Sequence, residues 1–149
     1  MKMQIETAGG KEKNMKREEK IPFLKAILFM AKVDQDTDPA ELAYYQTLGV
    51  EIGFGADEVS HIQTAVLSGK ETLEEYLDQI QERSTKLQLL YQMMTIACTD
   101  GRIEEAEYDK IKGAAEYLGV QEEKVKEIVA LVKESEELKK KRTTILEIA

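Results

Sequence analysis

The sequence predicts an all-α fold, a helical bundle of about seven helices built from two three-helix repeats. Apolar residues recur every three or four positions along most of the chain, which is the period of an amphipathic helix. Hydrophobic residues make up 42% of the 149 residues and charged residues 34%, with no Trp and only two Pro. That composition is typical of a soluble helical protein and not of a disordered or strand-rich one.

An internal repeat also supports this fold class. Residues 23–62 align with residues 89–128 at an offset of 66 without a gap. The identical pairs are Leu24/Leu90, Ala31/Ala97, Asp34/Asp100, Ala40/Ala106, Glu41/Glu107, Gly53/Gly119, Val59/Val125 and Ile62/Ile128. The alignment predicts that both copies fold into the same three helices in the same order.

Each helix of the repeat has one apolar face, which we expect to be buried. In the first helices this face is Phe23, Leu24, Ile27, Leu28 and Ala31, and Leu89, Leu90, Met93, Met94 and Ala97. In the second helices it is Leu42, Tyr45, Leu48 and Ile52, and Tyr108, Ile111, Ala114 and Leu118. In the third helices it is Val59, Ile62 and Val66, and Val125, Ile128 and Val132. Gly53 and Gly119 follow the second helices, where a left-handed residue commonly ends a helix.

The remaining segments connect or flank the two copies. Residues 70–85 predict a connecting helix, because Thr72 and Glu75 form a capping-box pair ahead of an apolar stripe. Residues 1–21 are predicted to form a flexible N-terminal tail, and residues 22–135 are predicted to form the helical domain. Residues 136–149 predict a C-terminal helix or tail, which either caps the bundle or continues the preceding helix.

Charge and composition exclude several classes of partner. The net charge is −8, and residues 22–135 carry 11 basic and 22 acidic residues. An acidic body repels phosphate, so no nucleic-acid binding is expected, and the basic run at 139–142 is interpreted as a solvated helix end. No apolar run is long enough for direct membrane insertion, and no secretory signal is present. A single cysteine, Cys98, suits a reducing cytoplasm.

Two acidic stretches, "DQDTDPAE" at 34–41 and "DGRIEEAE" at 100–107, occupy equivalent positions in the repeats. A twelve-residue calcium loop needs Gly at its sixth position and Glu at its twelfth. Those positions hold Pro39 and Tyr45 in the first copy, and Glu105 and Ile111 in the second. Neither stretch is therefore an EF-hand.

Helix capping explains part of this acidity. Asp38 and Glu41 are spaced as the N-cap and third residue of a helix that begins at Pro39, and Glu104 and Glu107 have the same spacing in the second copy. Carboxylates at a helix start also favour the positive end of the helix dipole.

Capping does not explain Asp34, Asp36 and Asp100. A hard divalent cation, Ca²⁺ or Mg²⁺, would relieve the repulsion between such closely spaced carboxylates. The candidate metal ligands are Asp34, Asp36, Asp38, Glu41, Asp100, Glu104 and Glu107. The alternative is that these aspartates are exposed residues that favour turns.

No catalytic or cofactor-binding residue is predicted. His61 is the single histidine and is interpreted as a surface or partly satisfied core residue. Cys98 has no second cysteine or nearby histidine, so it is interpreted as a small buried hydrophobe. The chain has no Gly-rich phosphate loop, zinc spacing or Ser-His-Asp set.

The helix ending in Ala-x-x-Asp, the turn "DGRIEEAE" and the later "LGVQEEKV" resemble the tellurite-resistance TerB-like family. The match is fullest at Asp100, Gly101, Ile103 and Glu107, whereas the first copy has Gln35 and Thr37 in place of Gly and Ile. The resemblance covers about residues 22–135.

The resemblance implies an all-helical bundle with an internal repeat. It implies a non-catalytic cytoplasmic protein of the tellurite or chemical stress response, with divalent metal at acidic residues and a membrane-associated protein partner. The alternative is a general protein-interaction or self-association module, as in the similar domain of DnaJ-like co-chaperones, with no metal site. The sequence makes no prediction of oligomeric state.

Overall fold

The computed structural model describes residues 15–32, 39–99 and 101–148. Within these ranges the fold is all-α with seven helices, which confirms the predicted fold class. The helices are α1 (Arg17–Lys32), α2 (Pro39–Glu51), α3 (Ala56–Leu67), α4 (Leu73–Leu77), α5 (Arg83–Ala97), α6 (Glu105–Leu118) and α7 (Glu122–Ile145). Two short strands, β1 (Cys98–Thr99) and β2 (Arg102–Ile103), lie between α5 and α6.

The helix starts recur at the offset seen in the sequence. Helices α1 and α5 begin 66 residues apart, as do α2 and α6, and α3 and α7. Equivalent apolar faces therefore lie on equivalent helices. The duplication itself stays a prediction, which these bounds support.

Two segment bounds differ from the sequence-based expectation, and a third agrees with one of its two alternatives. Helix α1 begins at Arg17, so residues 17–21 are helical, with Glu18 and Glu19 at the positive end of the helix dipole. The connecting helix is only the five-residue α4, although the Thr72 hydroxyl does accept from the Glu75 amide at 3.2 Å. At the other end of the chain, α7 continues the third helix of the second copy as far as Ile145.

The chain divides into two compact units, of which the first is Met1–Leu89. In this unit α1 packs against α3 and α4, and α2 packs against α3. Helices α2 and α3 approach closely at Gly49, where a Cβ atom would lie 2.5 Å from Val59 Cγ2. The buried core residues of this unit include Phe23, Leu24, Ile27, Tyr45, Leu48, Val59, Ile62, Val66, Tyr76, Leu77 and Ile80. The side chains of Ala31 and Leu42 lie outside the described residues.

The second unit is Leu90–Ala149, in which α6 packs against α7. Its buried residues include Leu90, Met93, Met94, Ile111, Ala114, Leu118, Val125, Ile128 and Val132. Ala97 and Tyr108, which were expected in the core, are only half-buried. Gly119 ends α6 in the left-handed conformation, with φ +77°, as predicted. No helix in the described ranges combines the length and the apolar character needed to cross a membrane.

Candidate functional site

The second acidic loop begins with a short β-hairpin. Cys98 pairs with Ile103, and Thr99 pairs with Arg102, in an antiparallel register. Gly101 lies between the strands with φ +76°, a conformation that glycine adopts without steric cost. The tight turn predicted from the Asp-Gly sequence is confirmed at Gly101. It places the start of α6 directly after the hairpin.

Helix α6 begins with several carboxylates, of which Glu104 and Glu105 are exposed and Glu107 is half-buried. Glu104 occupies the N-cap position, and its carbonyl accepts the first helical bond, from the Tyr108 amide at 2.9 Å. Its side chain, however, makes no capping hydrogen bond. The capping role expected for Glu104 is therefore wrong, because glutamate is longer than the Ser, Thr, Asp and Asn side chains that reach back to the second and third amides. Glu105 and Glu107 lie in the first turn of the same helix.

The hairpin lies beside the middle of α7. Burial raises the pKa of the Cys98 thiol, and the negative charge of Glu136 raises it further. The Gly101 backbone amide and the positive charges of Lys133 and Lys140 act in the opposite direction. Cys98 is half-buried, so it is less covered than the sequence predicted. His61 is exposed, which is one of the two positions expected for it.

The first acidic loop lies mostly outside the described residues. The candidate ligands that lie outside the described residues are Asp34, Asp36 and Asp38 of the first loop and Asp100 of the second loop. The side chain of Glu41 lies outside them as well. Among the described residues, no group of three or more His, Cys, Asp and Glu side chains could hold a metal ion. Of the predicted ligands, the structure therefore gives the surroundings of Glu104 and Glu107 alone. The predicted cation site stays a prediction.

A cluster in the first unit was not found from the sequence. The Lys25 ammonium lies 3.0 Å from a Glu71 carboxylate oxygen and 5.6 Å from the centre of the Tyr76 ring. Phe29 meets the same ring edge to face at a centroid distance of 6.1 Å. Burial raises the pKa of Tyr76, with a smaller contribution from the nearby Glu71 carboxylate, although the hydroxyl makes no hydrogen bond of ordinary geometry. The cluster connects α1 to the segment containing α4.

A second unpredicted feature is the buried carboxylate of Glu19, which is 3% exposed. One of its oxygens accepts from the backbone amides of Gln81 at 2.5 Å and Glu82 at 3.1 Å. The Lys16 ammonium forms an ion pair with Glu82 at 3.0 Å, and this contact raises the pKa of Lys16. Glu19 therefore supplies the acceptor for two amides just before α5. No local sequence pattern indicates a partner so far along the chain.

Comparisons with known proteins were consistent with this fold. A crystal structure of a protein of unknown function from Porphyromonas gingivalis W83 matches with a TM-score of 0.60 and 19% sequence identity. The match covers 82% of this chain and 98% of the other. At that identity the likeness shows the fold alone. The search of curated proteins gave no match.

The sequence pattern of one protein family also matches. The family is described as Tellurite resistance protein TerB, and the match covers residues 30–130. That range is more than half of the chain and includes both acidic stretches, the hairpin turn at Gly101 and the start of α6. The chain therefore belongs to the TerB family.

Proposed function

We propose that this TerB-family protein is a non-catalytic binding protein of the tellurite or chemical stress response, which holds a divalent cation at its acidic helix starts. The observation that carries the proposal is the start of α6. Glu104 lies at the N-cap, exposed, without using its carboxylate to cap the helix. A role in capping therefore leaves this carboxylate unexplained.

The surroundings of Glu104 favour an oxygen-binding cation. Glu105 and Glu107 lie within the next helical turn, and Asp100 precedes the Gly101 turn in the sequence. Carboxylate oxygens are the preferred ligands of Ca²⁺ and Mg²⁺. A cation would also offset the repulsion between these carboxylates. At the offset of 66, Asp34, Asp38 and Glu41 correspond to Asp100, Glu104 and Glu107. Asp36 is a further candidate ligand of the first loop, because its counterpart is Arg102.

The second candidate is an interaction module without a metal site, acting on a protein partner. The exposed apolar side chains of α7, which include Leu138 and Ile145, favour it. Both candidate functions are binding roles. Family membership supports such a role, and the sequence contains no catalytic motif.

Titration with Ca²⁺, Mg²⁺ and Mn²⁺ separates the two candidates. We expect isothermal calorimetry to detect sub-millimolar binding, and the amide NMR shifts caused by Ca²⁺ or Mg²⁺ to be confined to residues near 34–41 and 100–107. The test variant is Asp100→Asn with Glu104→Gln, which keeps the size of both side chains and removes two charges. It should weaken binding by at least roughly tenfold, equivalent to about 1.4 kcal/mol.

A matched control exists at the start of α7. Glu122 and Glu123 also form an acidic first turn, but their helix follows Gln121 and not an Asp-Gly turn. Glu122→Gln with Glu123→Gln should leave the cation affinity unchanged. Small uniform shifts in the wild-type protein, or equal losses in both variants, would contradict the cation site and leave the interaction module.

A further inference from the structure

An apolar stripe runs along the distal part of α7. Leu131, Leu138 and Ile145 are 51%, 67% and 72% exposed, respectively. They are seven residues apart, so they lie on one side of the helix with a drift of only about 20° per step. We refer to these three side chains, with Lys141 and Arg142 beside them, as the distal α7 face.

The distal α7 face is not the face that α7 uses within its own unit. The residues of α7 that are buried are Val125, Ile128 and Val132. Lys133, Glu136 and Lys140 of α7 act on the Cys98 thiol, so the hairpin lies toward that side of the helix. At 100° per residue, the mean direction of Leu131, Leu138 and Ile145 is about 110° away from the mean direction of the buried residues. The two faces are therefore separate.

The charge of this region is opposite to that of the whole chain. Residues 138–146 contain four positive residues, Lys139 to Arg142, and no acidic residue, whereas the chain carries a net charge of −8. Glu134, Glu136 and Glu137 precede Leu138, and Glu147 lies between Leu146 and Ile148. Glu134 and Glu137 line the same shallow groove as Leu138 and Ile145. Leu146 and Ile148 follow the basic run and are also exposed. The end of α7 thus combines positive charge with exposed apolar side chains.

We propose that the distal α7 face adsorbs to an anionic lipid surface, with the helix lying in the plane of the interface. Such a surface offers negative headgroups to Lys141 and Arg142, and an apolar layer just below them to Leu138 and Ile145. Lysine and arginine can extend toward the headgroups while their aliphatic stems stay beside the apolar residues. This adsorption is distinct from the cation site, and the whole face lies beyond the matched residues 30–130.

A parallel pair of α7 helices and a nucleic acid fit the distal α7 face less well. In a symmetric parallel pair of α7 helices, the positions between successive apolar residues would bring Lys141 against Lys141 and Glu134 against Glu134. Like charges at such positions destabilise the pair. A nucleic acid would satisfy the basic residues, but it leaves Leu138 and Ile145 exposed. An anionic lipid surface satisfies both sets of residues.

The test is co-sedimentation of the full chain with vesicles. One set contains phosphatidylcholine alone and the other phosphatidylcholine mixed with phosphatidylserine. We expect binding to the mixed vesicles that weakens as salt is added, and little binding to phosphatidylcholine alone. Leu138→Asp with Ile145→Asp should abolish binding. Replacement of Lys141 and Arg142 by Gln should reduce it more than tenfold, since each cation contributes about fivefold.

The control is Leu67→Asp, which introduces the same charge at a leucine that is 60% exposed on α3. It should bind the mixed vesicles like the wild type, and circular dichroism should show equal helix content in all variants. Absence of wild-type binding to the mixed vesicles would overturn the proposal. An equal loss of vesicle binding in the Leu67→Asp control would also overturn it. So would a concentration-dependent dimer that the Leu138→Asp, Ile145→Asp variant does not form. Binding to duplex DNA that is reduced in the Gln variant alone would overturn it as well.

Discussion

The carboxylate of Glu19 shows how a single buried side chain can set the path of the backbone. It accepts from the amides of Gln81 and Glu82, which in a continuing α4 would instead donate to the carbonyls of Leu77 and Asp78. The connecting helix therefore stops after five residues, and the chain turns before α5 begins at Arg83. A charged acceptor gives stronger hydrogen bonds than a neutral one.

We predict that Glu19→Ala lowers the free energy of unfolding by about 1–3 kcal/mol, because two amides lose their acceptor. Urea unfolding followed by circular dichroism measures this loss. Glu18→Ala is the matched control, since Glu18 is in the same helical turn but exposed. It should change the free energy of unfolding by no more than about 0.5 kcal/mol. Equal effects at the two positions would show that Glu19 acts only through the helix dipole.

The thiol of Cys98 gives a prediction about pH. Its pKa is raised in the folded protein, mainly because burial disfavours the thiolate. The folded state therefore holds the thiol proton more tightly than the unfolded state. The resulting stabilisation is complete below the unfolded pKa and is lost as pH rises through the folded pKa.

Because Cys98 is the single cysteine, its alkylation by iodoacetamide can be followed without interference. We expect the midpoint of the pH–rate profile to be higher for the native protein than for the protein in urea. Glu136→Gln should move the native midpoint downward, because a negative charge that raises the pKa is removed. Coincident native and denatured midpoints would contradict this account.

At the scale of the element, one glycine inside α6 and one directly after it should respond to alanine in opposite directions. Gly119 ends the helix with φ +77°, whereas Gly113 lies inside it, and a Cβ atom at either position would have nothing within 4 Å. Steric clashes therefore do not complicate the comparison. Only the backbone conformation differs.

We predict that Gly119→Ala lowers the free energy of unfolding by about 1–2 kcal/mol, because a left-handed conformation is costly for alanine. Gly113→Ala should raise it by about 0.5–1 kcal/mol, through the higher helix propensity of alanine. Urea midpoints of the two variants test both values. A change of the same sign in both would show that the Gly119 conformation is not required to end α6.

The elements themselves were largely predictable because their signals are local. The faces Val59–Ile62–Val66 and Val125–Ile128–Val132 are buried as their spacing indicated, and Gly119 ends α6. The length of α4 was not predictable, because it depends on Glu19, which lies about sixty residues earlier in the chain. A local pattern carries no information about such a partner.

At the scale of the whole molecule, composition and repeat predicted the fold class, and the resemblance of "DGRIEEAE" and "LGVQEEKV" predicted the family. The candidate site was predicted less completely. The tight turn at Gly101 was predicted correctly from the Asp-Gly sequence. The capping role predicted for Glu104 was wrong, since whether a glutamate side chain reaches the first helical amides depends on the backbone around it. The Lys25–Glu71–Tyr76 cluster was missed because its members come together only when α1 packs against the α4 region.

Glu19 lies 62 residues before Gln81, whose backbone amide donates to its carboxylate. This separation along the chain has a consequence during translation. Ribosomes add roughly 5–20 residues per second, so Glu19 is made about 3–12 s before Gln81. Until then the carboxylate stays hydrated, and the nascent first unit cannot close. Its final docking therefore waits for the start of α5, when more than half of the polypeptide has been synthesised.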